Sequence, residues 1–303
     1  MALAPRVVIV HRRSELEELT ERHATRGQVE FFLKQRGLSL GPLEAADAEG
    51  RSAVQTVGAS IPTDWRRAEV EREDLPQFLF APEDVVAVVG RDGLVANVAK
   101  YVREQLVVGF NPFPHANAGV LTPHAPASAG PLLAAAGTGA AAVEERTMVA
   151  ARTDDGQEIV ALNDVYLGDA GHQSARYAIE APSGSTELQS SSGIVAGTGT
   201  GATGWLRSLA HDRGATELLP TATAPSIAWF VREAWPSPFT SAELTMGAFP
   251  DPMRLAVTVQ SEAMVAFGDG IEADRLEATH GQRIEVGVAS RRLRLAAGAH
   301  PGS

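Results

Sequence analysis

The sequence predicts an α/β domain followed by an all-β domain. In the first part of the chain, continuous β-branched runs alternate with helical patterns, which is typical of a parallel sheet. From about residue 145 onward, short strand-like runs are separated by turns, which is typical of an antiparallel sandwich or barrel. A length of 303 residues suits two domains or one large one.

The first elements along the chain are a strand and a helix. The run "RVVIV" at positions 6–10 predicts a buried strand. Ser14 and Glu17 have the spacing of a capping box, and apolar residues then recur at helical intervals as far as Gly37, a typical helix end. The residues from about 40 to 80 are mixed and polar, and they do not predict which helices or strands follow one another there.

A strand-turn-helix-strand unit comes next. Val85–Val89 predicts a strand covered on both faces, positions 90–93 ("GRDG") a turn, and the apolar residues of 94–102 a short helix. The run "QLVVGFN" predicts the following strand. This order implies parallel strands with a right-handed crossover. The Gly90–Gly93 turn and Asn111 would then lie beyond the carboxyl ends of the strands, where such sheets bind ligands.

The second half contains one further loop of interest. Residues 112–142, rich in Pro, Ala and Gly, predict a connection, and later runs such as "QRIEVGVASRRLRLA" predict antiparallel strands. The segment "SGIVAGTGTGATGW" (192–205) predicts a strand, a loop of glycines and threonines, and a helix. The loop either holds phosphate or ribose oxygens with its amides and hydroxyls, or is a β-bulge with a tight turn. The residues alone leave both interpretations open.

Composition excludes several classes of function. The formal net charge of −11 would repel nucleic-acid backbones, so no nucleic-acid partner is expected. The absence of cysteine excludes disulfides and thiolate chemistry. The histidines lack zinc-site spacing, and neither a Walker loop nor a G-x-S-x-G elbow is present. Without a long apolar run or a signal-peptide pattern, a soluble, cytoplasmic protein with no membrane partner is expected.

The glycine-rich loop also matches, taken literally, the dinucleotide fingerprint at Gly199, Gly201 and Gly204. A Rossmann unit needs a second parallel strand soon afterwards, ending in an acidic residue that binds ribose. Here "RGATELLPTATAPS" follows and is interrupted by prolines, so the sequence disfavours that fold.

Taken in chain order, the motifs resemble those of the NAD kinase family. The set comprises "GRDGL" (90–94) where the family has GGDGT, "VVGFNP" with Asn111, "ALNDVYL" with Asn163 and Asp164, the 192–205 segment, and "VAFGDG" with Asp269 and Gly270. The resemblance covers residues from about 84 to 295. It is closer to the mitochondrial-type branch and its bacterial relatives than to the common bacterial branch.

The resemblance implies a fold and a reaction. The fold would be an amino-terminal α/β domain at 1–115, a carboxy-terminal β-sandwich at 116–280, and a segment at 281–303 that packs back on the first domain. The reaction, in an interdomain cleft, would transfer the γ-phosphoryl group of ATP, with its Mg²⁺, to the adenosine 2′-hydroxyl of NAD, giving NADP. The family also implies a homodimer or homotetramer.

The resemblance further implies roles for individual residues. Asp92 would be the general base, and Gly90 and Arg91 would contact phosphate. The residues implied to bind NAD are Gly93, Asn111, Asn163, Asp164, Thr198, Thr200, Gly201 and Thr203. No metal ligand is implied. Arg91 and Leu94 depart from the family's Gly and Thr.

Two alternatives stay open. One is a kinase of the same fold that acts on another small-molecule hydroxyl, of a sugar or a lipid. The other is a catalytically impaired NAD-binding regulatory protein.

Overall fold

The computed structural model describes residues 5–298, which divide into two units. Unit 1 comprises the chain up to Glu144 and from Arg294 onward, and unit 2 comprises Glu145–Leu293. The sequence-based boundaries lay after positions 115 and 280. The observed division therefore assigns residues 116–144 to unit 1 and residues 281–293 to unit 2.

Unit 1 contains a parallel α/β sheet, as the sequence predicts. Its strands follow the order β2-β1-β3-β4, and every pair among them is parallel. These strands are β1 (Arg6–His11), β2 (Arg66–Glu71), β3 (Val85–Val89) and β4 (Leu106–Phe110). The helices of the unit are α1 (Glu15–His23), α2 (Arg26–Lys34), α3 (Gly41–Ala59), α4 (Asp92–Ala99) and α5 (Ala129–Thr138).

Local sequence explains the central strands and the first helix. All five residues of β3 and all five of β4 are buried, as expected for strands with both faces covered. The predicted capping box is confirmed: the Ser14 hydroxyl accepts the Glu17 amide at 3.1 Å, and the Glu17 carboxylate accepts the Ser14 amide at 2.9 Å. These bonds satisfy two amides that the helix leaves unpaired.

The prediction of one helix as far as Gly37 is wrong. The chain breaks at Ala24, which has a left-handed φ of 63°, and Thr25 then caps α2 by accepting the Gln28 amide. Two helices, α3 and α5, lie where the sequence predicted no order or only a connection. Both are rich in small residues, so their apolar faces give weak periodicity although alanine favours helix.

Unit 2 is an antiparallel β structure with one α-helix, α6 (Trp205–Asp212), among its described residues. One sheet has the strand order β12-β11-β10-β7-β14-β15. In the other, the strands of unit 2 follow the order β16-β13-β8-β9, β5 pairs with β16, and β6 pairs with β5. The strands are β5 (Val143–Thr153), β6 (Glu158–Ala161), β7 (Asp164–Gly168), β8 (Ala175–Glu180), β9 (Thr186–Ser191), β10 (Ile194–Gly197), β11 (Ser226–Val231), β12 (Met246–Pro250), β13 (Leu255–Val259), β14 (Ala263–Gly268), β15 (Leu276–Thr279) and β16 (Arg283–Ala296).

Both sheets of unit 2 contribute to one apolar core. Ile194 and Trp229 come from the first sheet, and Tyr177 and Val257 from the second. Two sheets with a shared core are compatible with the predicted sandwich. The last residues of β16 belong to unit 1, where Arg294 and Leu295 pair in parallel with β4. No helix within residues 5–298 is both long enough and apolar enough to cross a membrane.

Candidate functional site

The predicted site residues form two clusters, one in each unit. The Asp92 cluster, in unit 1, consists of the Gly90–Gly93 turn, Asn111 and the loop 112–122. The Asn163 cluster, in unit 2, consists of Leu162–Asp164, the loop 198–204 and Asp269.

The turn between β3 and α4 begins the Asp92 cluster. The amide of Gly90 donates to the carbonyl of Phe110 at 3.0 Å, and α4 begins at Asp92. A Cβ at Gly90 would lie 3.0 Å from a methyl group of Leu94, so the leucine fills the space over the turn. Leu94 is 6% exposed and therefore belongs to the core.

Arg91 and Gly93 flank Asp92, and both are exposed. The φ of Arg91 is −89°, so the arginine takes an ordinary backbone conformation where the family has glycine. Its guanidinium carbon lies 5.6 Å from the centroid of the Phe113 ring, within the range of a cation–π contact. The arginine is thereby attached to the same loop that Asp92 holds.

The carboxylate of Asp92 holds that loop by four hydrogen bonds. Its Oδ2 accepts the amide of Val120 at 2.9 Å. Its Oδ1 accepts the Leu121 amide at 3.0 Å, the Thr122 amide at 3.1 Å and the Thr122 hydroxyl at 3.0 Å. A carboxylate has about four lone-pair sites, two on each oxygen. Oδ1 is therefore fully engaged, whereas Oδ2 keeps one site for a further donor.

Asn111, which is 7% exposed, holds the first part of the loop 112–122 by hydrogen bonds. Its Oδ1 accepts the Phe113 amide at 2.9 Å, and its Nδ2 donates to the carbonyl of Asn117 at 2.9 Å. Gly119 has a φ of 69°, and a Cβ there would lie 2.8 Å from Nδ2 of Asn111. Only glycine suits that position. Asn111 and Asp92 thus hold one loop between them.

Asp269 organises the Asn163 cluster. Its carboxylate accepts the Leu162 amide at 2.9 Å and the Asn163 amide at 2.7 Å, and its own amide donates to the carbonyl of Asp164 at 3.0 Å. Its φ of 54° is left-handed, a conformation that aspartate tolerates better than most residues. Asp269 therefore fixes the backbone on both sides of Asn163.

Thr198 connects the loop 198–204 to residues 162–163 by hydrogen bonds. Its amide donates to the Asn163 carbonyl at 2.9 Å, and its hydroxyl donates to the Leu162 carbonyl at 2.6 Å. The same hydroxyl accepts the amides of Thr200 at 3.1 Å and Gly201 at 3.4 Å. The loop therefore lies directly against residues 162–163.

Two glycines permit this close approach. A Cβ at Gly197 or at Gly201 would lie 2.4 Å from the Asn163 carbonyl oxygen, far inside contact distance. Gly201–Thr203 forms a 3₁₀ turn, in which the Thr203 hydroxyl donates to the Thr200 carbonyl at 3.0 Å. Thr203 thus stabilises the loop from within.

Two polar side chains of the Asn163 cluster make no side-chain hydrogen bond among the described residues. The hydroxyl of Thr200 has none, although the residue is 2% exposed. The carboxyl of Asp164 accepts none and is 9% exposed. Its burial, with a smaller effect from the charge of Asp269, raises the pKa of Asp164 to about 7. Buried polar groups in proteins are nearly always paired, so these two are candidates for ligand contact.

The structure thus brings every predicted site residue into one of the two clusters. The sequence did not predict the amides that donate to Asp92, because every residue type except proline offers a backbone amide. The sequence predicts an Asp-Gly turn at Asp269 but no role for its side chain. Within residues 5–298, no three His, Asp or Glu side chains come together as metal ligands.

No protein-family model matches the chain, and no curated protein matches it. Functional inference therefore depends on the motifs and on the two clusters.

Proposed function

We propose that the protein is an ATP-dependent NAD kinase that phosphorylates the adenosine 2′-hydroxyl of NAD. The observation that carries this proposal is the Asn163 cluster. Three motifs of the resemblance, at Asn163–Asp164, Thr198–Thr203 and Asp269, are far apart in sequence and meet through direct hydrogen bonds. The three segments lie at one end of the neighbouring strands β7, β10 and β14, and polar groups that gather in one place are typical of a ligand site.

The proposed reaction breaks the bond between the γ-phosphorus and its bridging oxygen in ATP. The 2′-hydroxyl oxygen of NAD forms the new bond to phosphorus, ADP leaves, and the hydroxyl proton is released. Such transfers depend on alignment and charge neutralisation. Mg²⁺ would enter as part of the substrate, bound by the ATP phosphates.

Asp92 would act through Oδ2. That oxygen accepts only the Val120 amide and so has room for the substrate hydroxyl, whereas Oδ1 is engaged by Leu121 and Thr122. The loop would hold the carboxylate in one orientation while the proton is transferred. In the Asn163 cluster, the half-buried side-chain amide of Asn163 and the unpartnered Asp164 and Thr200 would contact the nucleoside of NAD.

A second candidate, an NAD-binding protein without turnover, is favoured by a different observation. All four donors on Asp92 come from its own chain, so a purely structural role would explain the same contacts. The two candidates differ in whether Asp92 is needed for chemistry or only for the loop.

Incubation of the purified protein with ATP, Mg²⁺ and NAD, followed by an assay for NADP, separates the candidates. NADP formation is the expected result. Thermal stabilisation by NAD without NADP would indicate the binding protein. ATP consumption only with a sugar or lipid acceptor would overturn the NAD kinase proposal.

Asp92→Asn then tests the base. We expect NAD affinity to be kept and turnover to fall by about 100-fold or more. Asp74→Asn, at an exposed aspartate of the same unit, is the matched control and should leave turnover unchanged. Unchanged turnover in Asp92→Asn would show that Asp92 is not the base.

A further inference from the structure

Asp164 lies at the first position of β7, opposite Gly197 of β10. The strands beside it, β10 ("IVAG") and β14 ("AMVAFG"), carry no titratable residue, and neither does the loop 198–204. The nearby strand β6 contributes only Glu158, which is exposed and paired with Arg152. Within residues 5–298, the charge that acts on Asp164 from a neighbouring element is that of Asp269.

This environment suits a neutral carboxylic acid better than a carboxylate. An ionised carboxyl group buried without donors carries a large desolvation penalty, and proteins usually avoid it by leaving the group protonated. Asp164 has no described donor, and the charge of Asp269 opposes a second negative charge nearby. Both effects raise the pKa of Asp164, to about 7.

Asp269 contributes to this state in two ways. Through its carboxylate and its amide it fixes the backbone of Leu162–Asp164, and therefore the burial of the Asp164 side chain. Through its charge it disfavours ionisation of Asp164. The first role raises the pKa of Asp164 through burial and the second raises it through charge, so loss of Asp269 should lower that pKa.

We propose that Asp269 is a positioning residue that favours the neutral carboxylic acid form of Asp164, so that the site binds its ligand through an O–H donor. This proposal rests on the NAD kinase assignment for the identity of the ligand only. The group recognised would be an uncharged hydrogen-bond acceptor of NAD. The unpartnered Thr200 hydroxyl belongs to the same cluster, so both groups offer uncharged hydrogen bonds.

A neutral acid has a functional advantage in this protein. The chain carries a formal net charge of −11, and a dinucleotide brings negative phosphates of its own. A carboxylate in the binding site would add repulsion, whereas a protonated acid contributes a hydrogen bond without charge.

The first arm of the test needs no ligand. Carbon-detected NMR of the full chain would follow the Asp164 carboxyl against pH in the wild type, in Asp269→Asn and in the control Asp169→Asn. Asp169 is a half-buried aspartate whose carboxylate accepts a local amide, from Gly171. We expect a midpoint near 7 in the wild type and the control, and a lower midpoint in Asp269→Asn. An ordinary acidic midpoint in the wild type, or none of the expected shift in a folded Asp269→Asn, would overturn the proposal.

The second arm measures NAD affinity against pH. If only the protonated form binds, the dissociation constant should rise about tenfold between pH 6 and pH 8. Asp164→Asn, which cannot ionise, should bind equally at both pH values. Equal pH dependence in the two proteins would overturn the role of the O–H donor. Absence of NAD binding at every pH would count against the NAD kinase assignment, and the NMR arm would still decide the state of Asp164.

Discussion

Two aspartates, each in a motif predicted to bind ligand, meet opposite surroundings in the folded protein. Asp92, in the first turn of α4, accepts four hydrogen bonds from the loop 120–122. Asp164, at the start of β7, is more deeply buried and accepts none from the described residues. The first carboxyl group is held by donors of its own chain, and the second environment suits a neutral acid.

The difference shows that a motif specifies a residue but not its chemical state. Asp92 is followed by glycine and Asp164 is preceded by asparagine, so either could be a turn aspartate. The donors to Asp92 come from a loop about 30 residues later in the chain. The charge that acts on Asp164 is that of Asp269. The following predictions test this contrast, from the largest expected effect to the smallest.

Asp164→Asn should abolish a pH dependence of stability. The pKa of Asp164 is about 7 in the folded protein against an ordinary value of 3.8. Because the folded value is raised, its contribution to stability is complete below pH 3.8 and is lost as pH rises through 7. The free energy of unfolding should fall in the wild type by about 4 kcal/mol more than in Asp164→Asn between pH 4 and pH 8. Urea denaturation across that range measures the difference, and parallel curves for the two proteins would contradict it.

Asp92→Ala should loosen a loop. It leaves three backbone amides and the Thr122 hydroxyl without their acceptor. We expect the free energy of unfolding to fall by about 3 kcal/mol, and the amides of residues 120–122 to exchange faster with solvent. Denaturation together with hydrogen exchange measures both effects. Asp74→Ala is the control, and equal exchange in the two variants would refute the anchoring role.

Thr198→Val and Thr200→Val should differ although the substitution is the same. The Thr198 hydroxyl makes three hydrogen bonds, whereas that of Thr200 makes none in the described structure. Thr198→Val should lower the free energy of unfolding by about 1–2 kcal/mol, and Thr200→Val should change it by less than about 0.5 kcal/mol. Thermal unfolding of both variants without ligand compares them. Equal losses would mean that the Thr200 hydroxyl has a partner after all.

Arg91→Ala should have a small effect. It removes the cation–π contact with Phe113 at an exposed site, a loss of about 0.5–1 kcal/mol. Arg91→Lys, which keeps the charge, is the matched variant. A fall in NAD kinase turnover far beyond the stability change would instead indicate that Arg91 contacts phosphate.

The sequence predicts those parts of the fold whose signal is local. The β-branched run of β3 and the capping box at Ser14 need no distant partner to be recognised. The helices α3 and α5 escaped prediction because small residues give weak periodicity. The break at Ala24 depends on a single capping threonine, Thr25, which is easily overlooked within a helical pattern.

The candidate site likewise has features that the sequence predicts and features that it does not. Motif order pointed to Asn111, Asn163 and Thr198, and the structure places each of them in a hydrogen-bonded cluster. The state of Asp164 could not be predicted, because it depends on burial and on a charge from another strand. The loop held by Asp92 could not be predicted either, since its donors are backbone amides.

The most direct test of the contrast is the number of protons taken up when NAD binds. Calorimetric titration at pH 8 in two buffers of different ionisation enthalpy gives this number. With a pKa of about 7 for Asp164, uptake of about 0.9 proton is expected in the wild type and none in Asp164→Asn. Binding of NAD without proton uptake in the wild type would contradict the account.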